Sequence, residues 1–259
     1  MLTAKNITYT VNGKTLLDDV SVRFEAGKLN LIIGPNGAGK STLVKIICNQ
    51  LQPTGKGSVQ YGDKDIRNIS IAGLAKVRSV LSQNIELAFP LNVSEVVMMG
   101  RYPHFTGKPS QKDETACEEA MRFFDVQDMA ERNYMTLSGG EKQRVHFARV
   151  LAQIWYPPAE GCRYLILDEP LTFLDVHYQF DFMHKITALL RENNMVIIGV
   201  VHDLNLAAKF AGNIILLDRG KVLAAGDKRQ VLSKENIRTA YRLEPVIHYE
   251  QEEMYLFFS

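Results

Sequence analysis

The stretch from Leu29 to Leu51 constrains the fold more than any other part of the chain. A continuous apolar run, Leu29 to Ile33, ends in Gly34-Pro35-Asn36-Gly37-Ala38-Gly39-Lys40-Ser41-Thr42, and Thr42 to Leu51 then places apolar residues at helical spacing. A short apolar run closed by glycine reads as a buried strand, so the order is strand, glycine-rich loop, helix. The loop fits G-x-x-x-x-G-K-[ST] in the setting that pattern requires. Its glycines let backbone N–H groups turn inward onto phosphate oxygens, and the amino end of the helix adds the positive end of its dipole. Candidate phosphate contacts are therefore Asn36, Gly37, Ala38, Gly39, Lys40, Ser41 and Thr42. Lys40 is expected to reach the β- and γ-phosphates and Ser41 to offer its hydroxyl to magnesium.

Short apolar runs recur at Val77 to Leu81, Tyr164 to Leu167, Met195 to Val201 and Ile214 to Leu217, most with a helical stretch alongside. Such alternation predicts an α/β fold with a largely parallel sheet covered on both faces. The first residues differ: Ile7, Tyr9, Val11 and then Val20, Val22, Phe24 alternate with polar positions around Asn12-Gly13, the pattern of an antiparallel N-terminal sheet. From about Asn84 to Met135 the spacing turns helical, with helices expected over Ser94 to Met99, Lys112 to Phe124 and Val126 to Arg132 and a break from Pro103 to Pro109. The reading is one domain, 1–259, with a nucleotide-binding core of 1–83 and 164–259 and an inserted helical subdomain, 84–163. The tail, Asp227 to Ser259, reads as a polar helix followed by a hairpin of Pro245 to Tyr249 and Met254 to Phe258.

The 259 residues carry 30 Lys plus Arg against 29 Asp plus Glu, a net charge of +1, which leaves no broad electrostatic footprint for nucleic acid. Phosphate recognition must then be local. Cys48, Cys117 and Cys162 are odd in number and far apart, which fits a reducing compartment better than a disulfide framework. No apolar run reaches the roughly 18 residues that span a bilayer, so membrane contact is expected through a partner.

Two further motifs complete the chemistry. Tyr164-Leu165-Ile166-Leu167-Asp168-Glu169-Pro170 puts an acidic pair at the end of a buried strand, where open α/β sheets form their ligand crevice. Asp168 is assigned to magnesium through its water shell and Glu169 to polarising the attacking water as general base. Leu137-Ser138-Gly139-Gly140-Glu141 opens a helical run from Gln143 to Ile154. A serine and two glycines at a helix start make a second anion site, and one nucleotide cannot easily use both sites of one chain.

With these motifs in this order the chain resembles the ABC ATPases, P-loop NTPases whose signature is L-S-G-G. The resemblance spans essentially its whole length. It implies a homodimer packed head to tail, with the phosphate loop of one subunit facing Ser138, Gly139 and Gly140 of the other across each ATP. It also implies that Tyr9 stacks on adenine, that Gln83 touches magnesium and water, that His202 contacts the γ-phosphate, and that Asp175 crosses the interface. Thr172-Phe173-Leu174-Asp175 departs from the common S-A-L-D, and Phe173 is bulky where a small residue is usual.

Phe89 to Val93, Val96 to His104 and His202 to Ala208 resemble the iron-chelate and haem importer branch. Arg149 to Trp155, with the short Pro-Pro-Ala-Glu-Gly insertion after it, resembles haem importers most, with ferric siderophore and cobalamin importers beside them. That branch implies two multi-span permease subunits, an extracytoplasmic binding protein, and a peripheral position at the cytoplasmic face of the inner membrane. The competing class is a soluble ABC ATPase of iron-sulfur cluster assembly, also a single cassette without membrane spans. His104 is expected to be a solvated loop histidine and not a haem ligand.

Overall fold

The structure, a computed structural model, describes residues 1–82, 90–172, 174–192 and 194–258. Along the chain run β1 (Leu2–Val11), β2 (Lys14–Phe24), β3 (Leu29–Ile33), α1 (Lys40–Ile47), β4 (Ser58–Tyr61) and β5 (Lys64–Asp65). Then come α2 (Ile71–Val77), β6 (Arg78–Leu81), α3 (Val93–Met98), α4 (Gln111–Phe123), α5 (Gly139–Gln153), β7 (Arg163–Asp168) and α6 (Val176–Ala188). They are followed by β8 (Met195–Val200), α7 (Leu204–Phe210), β9 (Asn213–Asp218), β10 (Lys221–Gly226), α8 (Lys228–Val231), α9 (Lys234–Tyr241), β11 (Pro245–Glu250) and β12 (Glu253–Phe258). These elements form two compact units, Met1–Ile69 with Leu190–Ser259, and Ser70–Leu189. Among the described residues no helix is long and apolar enough to cross a membrane.

In the first unit β3 is flanked by β8 and β9, both parallel to it, with Ile32 opposite Val200 on one side and Ile215 on the other. Every residue of β3 and β8 is buried, which is why both read as unbroken apolar runs and not as alternating ones. The one polar residue in β3, Asn30, is fully used. Its amide donates to the carbonyls of Glu25, Lys28 and Ile197, and its oxygen accepts from Glu25 N and Asn213 Nδ2. The antiparallel sheet has the order β2-β1-β4-β5. Its first hairpin turns at Asn12 (φ 49°) and Gly13 (φ 74°), the doubly left-handed turn that matches strand twist. The expected tail hairpin forms too, but turns at Gln251 (φ 47°) and Glu252 (φ 74°), where no glycine or asparagine marks it.

In the second unit β6 and β7 pair in parallel, and α3 and α4 pack on α5. Gly100 lies so close to α5 that a Cβ there would sit 2.1 Å from the Arg149 carbonyl oxygen. Arg101 is consequently driven inward, 3% exposed; its Nε donates to Asp113 Oδ1 at 3.0 Å and its Nη1 to Ala152 O at 2.7 Å. Asp113 in turn accepts from Ser110 N and Oγ, closing the capping box of α4. The neighbouring Gln153 side chain donates to Ala75 O and Arg78 O and accepts from Ser79 Oγ. His104 is not the solvated loop histidine expected from sequence. It is half-buried, with Nε2 2.7 Å from Gln153 O, and burial lowers its pKa.

Several expected boundaries shift. Val126 to Arg132 is not a helix but a short 3-10 turn, Gln127–Met129, because the carbonyls of Ala130 and Arg132 serve the free N–H groups of Ser94 and Val93 at the start of α3. The break expected from Pro103 starts later, since a 3-10 run from Met99 to His104 passes through that proline. Helix α1 stops at Ile47, and Val77 closes α2 instead of opening a strand. Replacing Gly100 by Ala should lower unfolding stability by about 2–4 kcal/mol, because the Arg149 carbonyl belongs to a helix that cannot give way. Denaturant unfolding at matched pH measures it, and a loss below about 0.5 kcal/mol would show that the contact relaxes freely.

Candidate nucleotide site

The phosphate loop leaves β3 at Gly34, whose φ is +147° and whose missing Cβ would lie 2.2 Å from the Leu217 carbonyl oxygen. It ends at Gly39, φ +103°, where a Cβ would lie 2.7 Å from Leu17 Cδ2 and 2.8 Å from Leu16 O. The loop is thus wedged between β9 and β2, with Gly220 N donating to Ala38 O at 3.0 Å. Lys40 is 5% exposed; its ammonium folds beneath the loop and donates to Gly34 O at 2.8 Å and Pro35 O at 3.1 Å. Asn36 and Gly37 are exposed at the crest, Ala38 is buried under it, and Ser41 and Thr42 are half-buried in the first turn of α1.

The same unit carries His202, exposed just after β8. Because β8 runs parallel beside β3, His202 and Gly34 leave the sheet at the same carboxyl-terminal edge. Asp203 follows and caps α7, its Oδ1 accepting from Asn205 N at 2.7 Å and Leu206 N at 3.0 Å. Tyr9 is half-exposed in β1 opposite Leu17, the residue packed against Gly39, so strand register carries it to the loop's flank.

The second unit holds the acidic pair and the signature. Asp168 ends β7 at 9% exposure, and Glu169 follows with φ 53°, a left-handed backbone that non-glycine residues seldom adopt. Two contacts hold that turn: Thr172 Oγ1 donates to Glu169 O at 3.1 Å, and Gln143 Nε2 donates to Pro170 O at 2.8 Å. The role of Gln143 is invisible in sequence, since it is a side chain reaching a carbonyl of another element.

Ser138 caps α5 in a reciprocal box. Its Oγ accepts from Glu141 N at 3.3 Å while Glu141 Oε2 accepts from Ser138 N at 2.8 Å, and those bonds lower the Glu141 pKa. The helix therefore starts at Gly139, four residues before the start expected at Gln143. Ser138 and Gly140 face an open concavity of about 440 Å³, also lined by Glu141, Arg144, Asp175 and Tyr178. Asp175 caps α6 through Tyr178 N at 3.1 Å, and the Arg144 guanidinium lies 4.9 Å over the Tyr178 ring.

Gln83 and Phe173 lie outside the described residues. Of the candidates, Tyr9, Asn36 to Thr42 and His202 fall in one unit, and Asp168, Glu169, Ser138 to Gly140 and Asp175 in the other. The Ser41 hydroxyl and the Asp168 carboxylate are hard oxygen donors of the type magnesium takes.

Comparison with known proteins bears on this arrangement. Residues 17–172 match the family described as ABC transporter. The hemin import ATP-binding protein HmuV of Escherichia coli O157:H7 is 42% identical over 241 residues, covering 93% of this chain and 92% of that protein. Its counterpart in Gloeobacter violaceus is 43% identical over 250 residues, covering 95% and 89%. Among solved structures, an inward-facing metal-chelate type ABC transporter aligns with TM-score 0.81 at 22% identity, covering 100% of this chain and 96% of that one. A dimeric bacterial ABC transporter cassette aligns with TM-score 0.75 at 27% identity, covering 88% and 99%.

Two of the loop's three glycines at positive φ make a contrast that can be measured. Gly37, φ +80°, has open space where a Cβ would go, whereas Gly34 has the Leu217 carbonyl. Gly37→Ala should cost about 1–2 kcal/mol, the torsional penalty alone, and Gly34→Ala clearly more. Equal losses in urea unfolding would show that torsion, and not the β9 backbone, imposes glycine on the loop.

Proposed function

The chain belongs to the ABC transporter family, and from that premise we propose that it is the ATP-hydrolysing subunit of an importer that takes up haem. It is an ATPase whose hydrolysis is coupled to transport. The observation that carries the cargo reading is the likeness, at 42% and 43% identity over nearly the whole chain, to proteins named for hemin import.

The geometry supports a division of labour. The loop amides from Asn36 to Gly39, backed by the start of α1, receive the phosphates. Lys40 exchanges its two loop carbonyls for phosphate oxygens, which are the better partners of a desolvated ammonium. Tyr9 flanks the loop where adenine would stack, and His202 approaches the γ-phosphate from the neighbouring strand end. Magnesium, when bound, would supply charge neutralisation at the phosphates, and Ser41, Gln83 and Asp168 would hold it. Glu169 takes the proton of the attacking water. Ser138, Gly139 and Gly140 act in trans: in a head-to-tail homodimer they meet the other subunit's ATP, and Asp175 crosses the same interface. Only the closed dimer makes those contacts, so ATP binding favours it and hydrolysis releases it.

The motion passes through the inserted helical subdomain to two multi-span permease subunits, which receive haem from an extracytoplasmic binding protein. That assembly holds the chain at the cytoplasmic face of the inner membrane, with no nucleic acid partner.

Glu169→Gln should slow hydrolysis by at least about 10²-fold while preserving ATP binding, because the amide keeps shape but takes no proton. Gel filtration with magnesium and ATP should then show a trapped dimer; hydrolysis at the parent rate would place the base elsewhere. For cargo, the ATPase reconstituted with its permease in liposomes should hydrolyse ATP faster and take up haem when haem-loaded binding protein is added. Stimulation by a ferric siderophore or cobalamin, and none by haem, would overturn the haem assignment and leave the importer standing.

A further inference from the structure

The C-terminal segment reaches the start of the phosphate loop and the helix that follows His202. Tyr241, the last residue of α9, buries its hydroxyl oxygen without a hydrogen-bond partner of standard length among the described residues. The Gly34 backbone, at the first glycine of the phosphate loop, is near enough to act on that oxygen electrostatically. Burial pushes the phenol up to about 12, while the Gly34 backbone acts in the opposite direction, as an N–H directed at the oxygen does. A buried polar atom left short of a partner calls for a reason. Gly34 supplies one, because its carbonyl is already engaged by Lys40 at 2.8 Å and its α-carbon is pressed against Leu217 O. Tyr241 thus bears on a residue whose position sets where Lys40 rests.

The second contact is independent. Beyond Arg242 (φ 58°), which ends α9, the β11–β12 hairpin returns to α7. Asn205 binds the Leu256 backbone twice, Nδ2 donating to Leu256 O at 3.1 Å and Oδ1 accepting from Leu256 N at 2.8 Å. Lys209 adds an ion pair to Glu253 at 3.2 Å. Asn205 stands in the first turn of α7, whose cap, Asp203, directly follows His202. A side-chain amide that satisfies both backbone groups of one residue fixes strand and helix in register, as a ladder pair would.

We propose that Lys234 to Phe258 is a positioning element of the nucleotide site, acting on the phosphate loop through Tyr241 and on the His202 loop through Asn205. The inference rests on the reading of those loops as ATP contacts. Neither residue touches the nucleotide; Tyr241 acts where the phosphate loop begins, and Asn205 in the first turn of the helix that follows His202.

Tyr241→Phe removes only the hydroxyl and keeps the ring. If the group were merely an unsatisfied buried atom, the variant would melt no lower and bind ATP as the parent does. As a positioning residue its loss should weaken ATP binding 3- to 10-fold, raising KM more than it lowers kcat, with no fall in Tm. Asn205→Ala should instead lower kcat several-fold with a smaller change in KM, because His202 acts on the γ-phosphate. Parent-like kinetics, within two-fold in both variants, would overturn the proposal. Should a variant fail to fold, hydrogen exchange in the unmodified chain decides: ATP should slow exchange across 245–258 several-fold, and unchanged exchange there overturns it. An unmodified chain that binds no ATP would overturn the nucleotide reading itself, a result distinct from variants that bind like the parent.

Discussion

A desolvated ammonium held by two carbonyls of its own loop is the interaction on which the rest of the first unit turns. Burying a lysine costs several kcal/mol unless its charge is matched, so the groups that receive its ammonium fix where it can lie. The two carbonyls hold Lys40 in place beneath the loop. Holding it there requires the loop backbone to pass directly over the side chain, which forces left-handed torsions at Gly34, Gly37 and Gly39 and brings Gly34 onto the Leu217 carbonyl. The parallel pairing of β3 with β8 and β9 follows from the same need. Only strands buried on both faces give a rigid edge from which the loop and His202 can project together.

Much of this was legible because it is local. A strand, a glycine loop and a helix in immediate succession announce their chemistry through residue type and spacing, and Asn12-Gly13 announces its turn through φ preference. Asp168 and Glu169 could be placed at a strand end for the same reason. The helical spacing of α5 shows from Gln143 onward, while Ser138 and Glu141 spell the capping box that starts it at Gly139.

What was not legible is long-range or torsional. Strands β4, β5 and β10 are short and only partly buried, so their hydrophobic pattern is faint. The helix expected over Val126 to Arg132 lost to a competing use of its carbonyls in capping α3, which no window of sequence displays. Likewise the Gln251-Glu252 turn adopts positive φ without a residue that favours it, held by the pairing of β11 with β12 on either side. Tyr241, Gln143 and Asn205 act through backbone groups of distant elements, and a side chain bonded to a backbone leaves no complementary residue to notice.

Glu169 shows why such contacts matter for mechanism. A left-handed glutamate costs about 1–2 kcal/mol and persists only where its neighbours over-determine it. One of those neighbours is Gln143, on α5, whose amide grips the Pro170 carbonyl. The same helix presents Ser138 and Gly140 at its amino end, toward the concavity that serves the opposite subunit's ATP in the proposed dimer. The capping box ties Ser138 to Glu141, and the helical ladder continues from there to Gln143. In the proposed dimer, α5 thus joins the signature end to the turn that carries Glu169 within the same unit. Because Glu169 keeps its left-handed backbone only through such contacts, the position of α5 and the conformation of that turn are bound to each other.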